Sequence, residues 1–180
     1  MEFIVLSEEQ KQKYRDDILS ILTMADGEFV PPLSRRRSTT QSDLSGNLEE
    51  GSVGILSYLL QMLKQEIMIA VSEGVTLGFV SYRENYVTDV IGESELPNIY
   101  VSTLIVTPAA RGRGLTRSMY SHLFDTLYAG YSVFTRTWST NFAHFKILES
   151  FGFDVLKKIE NDRGEGIDTV YFKRKAHSVV

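Results

Sequence analysis

The chain has no cysteine among its 180 residues. That absence removes disulfides, thiolate nucleophiles and cysteine-ligated zinc together. Histidine is scarce: His122, His144 and His177 are too few and too scattered to suggest a metal centre, so no metal is expected. Four prolines and thirteen glycines are too few for a low-complexity or collagen-like chain. No apolar run approaches the ~20 residues of a membrane span. The opening Phe3–Leu6 run meets Ser7-Glu8-Glu9-Gln10 at once, unlike a secretory leader. The net charge of −4, from 19 basic and 23 acidic residues, lacks the basic footprint that phosphate backbones require, so no nucleic-acid partner is expected. A cytoplasmic protein with no membrane attachment is the expectation that remains.

What is present is the composition of a globular α/β domain, 43% apolar and 11% aromatic. One domain over residues 1–180 is expected, long enough to bury roughly 70% of its unfolded surface. Residues 2–6 read as a strand. Ser7 and Gln10 form a capping-box pattern, and Tyr14, Ile18, Ile21, Leu22 and Ala25 then repeat at helical spacing up to Gly27. Residues 31–52 are polar and aperiodic, a long loop in which Arg35-Arg36-Arg37 is expected as an exposed, mobile basic cluster. Leu56, Leu59, Leu60 and Leu63 mark a second amphipathic helix. Residues 67–71 and 76–82 form a hairpin about Ser72-Glu73-Gly74, and 99–106, nearly continuously apolar at its end, reads as a central strand. A helix with Leu115, Met119, Leu123 and Leu127 on one stripe follows, closed by Gly130. A strand (133–138), a short helix (141–151) and a terminal hairpin complete the order β-α-α-β-β-β-α-β-α-β-β.

Chemistry concentrates where the central strand runs through Pro108 into Arg111-Gly112-Arg113-Gly114 at a helix start. Unpaired N–H groups and the helix dipole favour an anion there, glycines let backbone approach a phosphate, and arginines add charge. The turn is no Walker loop, since no Gly-Lys-Ser/Thr follows, and it lacks the third glycine of a dinucleotide fingerprint.

Residues 104–116 (LIVTPAARGRGLT) resemble the acyl-CoA-binding motif of the GNAT superfamily of N-acetyltransferases: Val-x-Pro, a short gap, then Arg/Gln-x-x-Gly-x-Gly/Ala. Arg111, Gly114 and Thr116 take the last three places, Thr116 departing from the usual small residue. Residues 141–153 (NFAHFKILESFGF) resemble the family's Asn-x-x-Ala-x-x-x-Tyr-x-x-x-Gly-Phe segment, with His144 at the alanine place and Leu148 at the tyrosine place. The resemblance covers residues 67–160 well and the first 65 by element order only.

The resemblance implies a mixed, mostly antiparallel sheet with a splayed pair of strands, flanked by about four helices. It implies acetyl-CoA as co-substrate, with Leu104, Ile105, Val106, Arg111, Gly112, Arg113, Gly114, Leu115, Thr116 and Asn141 binding it. The pantetheine arm adds to the central strand at Leu104 and Val106, and the Val106 N–H polarises the thioester carbonyl. Asn141 contacts the arm, caps the helix, or does both. The activity implied is N-acetylation of a small-molecule or peptide amine, with a possible homodimer through exposed edge strands. The usual acid and base are missing: Leu148 cannot donate a proton and Ser102 stands near the usual glutamate. Tyr100, Ser102 and His144 are the candidates for a proton relay, each with an ordinary structural alternative: strand residue for the first two, surface histidine for the third. Trp138 is expected in the core or bordering the pantetheine groove. The resemblance places the Arg35-Arg36-Arg37 loop beside the acceptor site, where recognition of an acidic part of the acceptor or of a CoA phosphate is the alternative to a mobile basic cluster. The missing acid and base also keep open a non-catalytic acyl-CoA-binding or interaction module.

Overall fold

The computed structural model describes residues 1–44 and 54–176. Positions 45–52 of the expected loop, and His177, lie outside them. Among the described residues seven strands form one sheet in the order β1-β2-β3-β4-β5-β7-β6. The strands are β1 (Glu2–Val5), β2 (Glu66–Ser72), β3 (Val75–Glu84), β4 (Asn98–Val106), β5 (Ser132–Trp138), β6 (Asp154–Ile159) and β7 (Thr169–Arg174). Every neighbouring pair is antiparallel except β4 with β5. The mixed, mostly antiparallel sheet and its element order are those implied by the sequence.

Ser7 opens α1 (Glu8–Lys13) with the expected capping box: its N–H donates to Gln10 Oε1 at 2.9 Å, and its Oγ accepts from the Gln10 N–H at 3.3 Å. The single helix expected here is interrupted at Tyr14, after which α2 runs Arg15–Ala25 and a 3-10 turn covers Asp26–Glu28. The chain bends so that Ile18, Ile21, Leu22 and Ala25 all reach the sheet. Next comes α3 (Gly54–Met62), whose inward face is Tyr58, Leu59 and Met62. Leu56 and Leu60, expected on the buried stripe, are 46% and 49% exposed. The helix is apolar on most sides, so hydrophobicity alone does not set its phase. The Tyr58 hydroxyl, 2.7 Å from Thr103 Oγ1 inside the protein, fixes it instead.

Strands β2 and β3 are buried on both faces and so read as apolar runs. Ile67, Ile69 and Phe79 join α2 and α3 on one side. Met68, Ala70, Val80 and Tyr82 join the helices of the other side. Those are α4 (Leu115–Ser121), which continues as a π-helical segment His122–Leu127, and α5 (Phe142–Ser150). The wider π turn shifts the stripe's last member, Leu127, to 40% exposure. The edge strand β6 is exposed along most of its length and carries Lys157 and Lys158, charges that discourage edge-to-edge pairing. No described helix is long and apolar enough to cross a membrane.

Candidate active site

Strands β4 and β5 run together only from Asn98 opposite Ser132 to Val101 opposite Thr135. The Thr135 hydroxyl donates to the Val101 carbonyl at 3.0 Å, and beyond this point the strands part. At the same place β4 bulges: Tyr82 of β3 faces Val101 and Ser81 faces Thr103, leaving Ser102 over. The extra residue reverses side-chain parity. Val101, Leu104 and Val106 turn toward α4 and α5, while Ile105 turns toward α2 and α3. Since the Thr107 N–H donates to the Leu77 carbonyl on β3 at 2.9 Å, strand alternation turns the N–H and C=O of Val106 and Leu104 into the splay.

A cavity of about 390 Å³ lies at the splay and is lined from both faces of the sheet. On the α2 face its walls are Phe29, Thr103, Ile105, Arg136 and Trp138; on the α4 face they are Thr116, Tyr120, Asn141, His144 and Ile147. Ser102, Leu104, Val106 and Arg111 also line it.

At one end the chain turns through Pro108–Ala110 into α4. Gly112 and Gly114 hold φ of +72° and +75°, and Gly114 is the N-cap with no side chain closing the helix. The Ser118 N–H donates to the Gly114 carbonyl at 3.0 Å, so the N–H groups of the helix's first turn lie ahead of that bond at its open end. A Cβ built on Gly112 or Gly114 meets nothing within 4 Å, so bare backbone faces outward. Leu115 is buried and anchors the turn. Arg111 donates from Nε to the Val106 carbonyl at 3.1 Å and pairs with both Glu28 oxygens at 3.0 and 2.9 Å. Both partners are largely exposed; such pairs contribute at most about 1 kcal/mol and exchange readily for another anion. Arg113 is exposed beside them.

On the α4 face Asn141 caps α5, accepting the His144 N–H at 3.3 Å and donating to Thr137 Oγ1 at 3.0 Å. His144 is no surface histidine: its Nε2 lies 2.8 Å from the hydroxyl of Tyr120, a hydrogen bond whose donor is set by the imidazole tautomer. Burial lowers His144 to about 4 and pushes Tyr120 up, so both are neutral at pH 7. The sequence reading passes over Tyr120, although it stands one helical turn beyond Thr116 and hence on the same face. Leu148 is fully buried in the core behind.

The other candidates separate. The Ser102 hydroxyl donates to Gln65 Oε1 at 2.6 Å and meets Ser81 Oγ at 2.9 Å, and the Gln65 amide donates in turn to Thr39 Oγ1. Tyr100 lies off the cavity wall, packed against Tyr86 with ring centroids 4.8 Å apart. Trp138 is half-buried at the cavity with Phe29 at 5.5 Å. The expected exposed arginine cluster is corrected at its centre. Arg36 is buried, its guanidinium bonding the Pro31 carbonyl at 3.0 and 2.8 Å and the Val30 carbonyl at 3.3 Å. Among the described residues no cluster of three or more acidic or histidine side chains is arranged to hold a metal.

His144 carries a pH prediction. Its folded pKa of about 4 lies below the ordinary histidine value of 6.5, because burial disfavours the charged ring. Between those values the unfolded chain binds the extra proton, so stability is full above pH 6.5 and is lost as pH falls toward 4. Denaturant melts at pH 7 and pH 4.5 are expected to differ by about 2 kcal/mol more in the native chain than in His144→Gln.

The profile of the acetyltransferase (GNAT) family matches residues 37–153. No curated protein matches the sequence. Among solved structures the fold is shared with ribosomal-protein-alanine N-acetyltransferase from Brucella melitensis, at 16% identity over 97% of this chain and 99% of that one, TM-score 0.66. It is shared with yncA from Salmonella typhimurium, solved with its cofactor acetyl-CoA, at 17% identity over 100% and 96%, TM-score 0.64. The aminoglycoside 6'-N-acetyltransferase from Enterococcus faecium follows at 11% identity over 97% and 96%, TM-score 0.63.

Proposed function

We propose, from the premise that this chain belongs to the acetyltransferase (GNAT) family, that it transfers an acetyl group from acetyl-CoA to a primary amine by direct attack, as a single domain over residues 1–180. The observation that carries the reading is the meeting of three features at one cavity: a strand edge left by β5, a bare glycine turn and a lining drawn from both faces of the sheet.

The residues fit the co-substrate. The outward amides at Gly112 to Thr116 and the Arg111 and Arg113 guanidiniums suit a diphosphate, with Leu115 holding the turn. The Leu104 and Val106 backbone, with Ile105 between them, offers a strand edge to a pantetheine amide chain, and Asn141 borders the same groove. Bound there, the co-substrate supplies an acetyl thioester. The Val106 N–H, aimed into the splay, stabilises charge developing on a carbonyl oxygen. Tyr120, kept protonated and oriented by His144, donates to the departing sulfur. Ser102, tied to Gln65, offers a hydroxyl oxygen that holds the amine by a hydrogen bond while its proton passes to solvent water; Tyr100 has no cavity surface through which to do so. A lysine-like amine is neutral only once in a few thousand molecules at pH 7, a cost of roughly 4–5 kcal/mol. Deprotonation is therefore the harder half of the proton balance.

Calorimetric titration with CoA tests the reading, with saturable binding expected well below millimolar. Gly114→Val places a branched side chain where φ is +75°, straining the turn by about 1–2 kcal/mol and covering the amides; CoA is expected to bind at least tenfold more weakly. No heat at millimolar CoA refutes the reading. The absence of the family's usual tyrosine and glutamate, at Leu148 and near Ser102, favours a second one, a binding module without turnover. An amine screen read by free-thiol release separates the two, since a binder releases no thiol with any acceptor.

A further inference from the structure

We infer that the acceptor carries a carboxylate or similar compact oxyanion, and that Arg136 on the cavity wall receives it. The inference rests on the acetyl-transfer reading and names its substrate class.

Three guanidiniums converge beneath the α2 face of the splay. Arg36 and Arg163 are 5% and 6% exposed, and both donate to the Val30 carbonyl, at 3.3 and 2.7 Å. Arg163 also donates from Nε to Thr169 Oγ1 at 2.9 Å. Arg136 donates from Nη1 to the Tyr171 hydroxyl at 3.1 Å and from Nη2 to the Gln41 carbonyl. Among the described residues none of the three forms an ion pair. The nearby acids Asp162 and Asp26 act on these guanidiniums through space, while their hydrogen bonds go elsewhere. Asp162 accepts from Thr169 Oγ1 at 2.5 Å and from the Leu44 N–H at 3.5 Å, and Asp26 takes the N–H and hydroxyl of Ser34, both at 2.7 Å. Glu28 is bound to Arg111.

Like charges gathered out of water disfavour one another, and burial together with Arg36 and Arg136 lowers Arg163 to about 9; Arg136, although burial lowers it, ends raised beside Tyr100, Tyr171 and Asp162. Arg36 and Arg163 are committed to holding loop carbonyls. Arg136 differs: it follows directly on the last β4–β5 pair, shares its strand face with Trp138 and lines the cavity. Its planar fork has more donors than its two partners use. Phe29, Ile105 and Trp138 beside it exclude water, which strengthens a charge-assisted hydrogen bond.

The same positive field disfavours an ammonium in the cavity. An amine held near these guanidiniums has its pKa lowered, which eases its deprotonation; the carboxylate in the described cavity lining, Glu28, is paired with Arg111. One cluster thus selects an anionic acceptor and helps neutralise its amine.

The test is a panel of L-amino acids, β-alanine and 4-aminobutyrate, each against its C-terminal amide, with spermidine as a cationic amine. Thiol release gives kcat/KM, and a thermal-shift arm uses the N-acetylated acids and amides as products. We expect turnover among the carboxylates, with amides at least tenfold poorer, as befits a hydrogen bond to a charged group. The acid products should raise Tm and the amide products should not. Arg136→Gln should bring acid and amide within about threefold while leaving CoA affinity unchanged by calorimetry. If that variant does not fold, Arg136→Lys keeps the charge but loses the fork, and an intermediate preference is expected. Preferred turnover of amides or spermidine, or an acid preference untouched in the variants, overturns the inference and leaves acetyl transfer standing. CoA binding without turnover of any amine, even outside the panel, defeats acetyl transfer; the thermal-shift arm then still decides whether Arg136 takes an oxyanion.

Discussion

Tyr120→Phe is expected to lower kcat about 100-fold while CoA affinity stays within about twofold. Tyr120 lines the cavity on the α4 face although it is fully buried from bulk solvent, and its hydroxyl has one polar partner, His144 Nε2 at 2.8 Å. A positioned proton donor contributes about 10²–10⁴-fold, and the lower end suits a leaving thiol whose pKa of about 8.5 makes modest demands. Phenylalanine keeps the ring stack on Phe124, with centroids 4.7 Å apart, and therefore the shape of the wall. It leaves the imidazole without its partner, a loss of about 1–3 kcal/mol of stability, so rates belong well below the variant's melting range. A merely structural Tyr120 would lower Tm and leave kcat in place. Steady-state kinetics at saturating CoA, beside a calorimetric CoA titration, separates these results.

Gly78→Ala is expected to cost about 3 kcal/mol, lowering Tm by roughly 6–12 °C for a chain of this size. Glycine to alanine in a strand ordinarily stabilises slightly, because the unfolded chain loses freedom. Here a Cβ would stand 2.6 Å from the Ile105 carbonyl oxygen and 3.1 Å from Val106 Cα. Both obstacles are backbone, so relief requires moving β4 itself. The residue opposite Gly78 is Val106, whose N–H faces the splay, and CoA affinity should fall with stability. Thermal melts and CoA titration of one preparation measure both effects.

The sheet was legible because its central strands are buried on both sides, which leaves little freedom to misread an apolar run. The glycine turn was legible because positive φ restricts the residue type. Features decided by distant partners escaped. Arg36 looks exposed until the Val30 and Pro31 carbonyls fold around it. The phase of α3 depends on one hydroxyl meeting Thr103, not on its leucines. Arg136 and Arg163 stand far from Arg36 in sequence, and no local pattern joins them. Tyr120 was hidden because it sits among core residues on its helix, Met119 and Leu123, and only the parting of two strands opens space beside it.

The surplus residue in β4 has one more consequence. Upstream of Ser102 odd-numbered side chains point to the α4 face; downstream even-numbered ones do. The strand is therefore two half-strands out of step. Deleting Ser102 would bring them into step while leaving Thr103 and Ile105 on the α2 face and Leu104 and Val106 on the α4 face, where they already stand. What the surplus residue adds is therefore its own hydroxyl, held by Gln65 and Ser81 where the two strands separate, and not the sidedness of its neighbours.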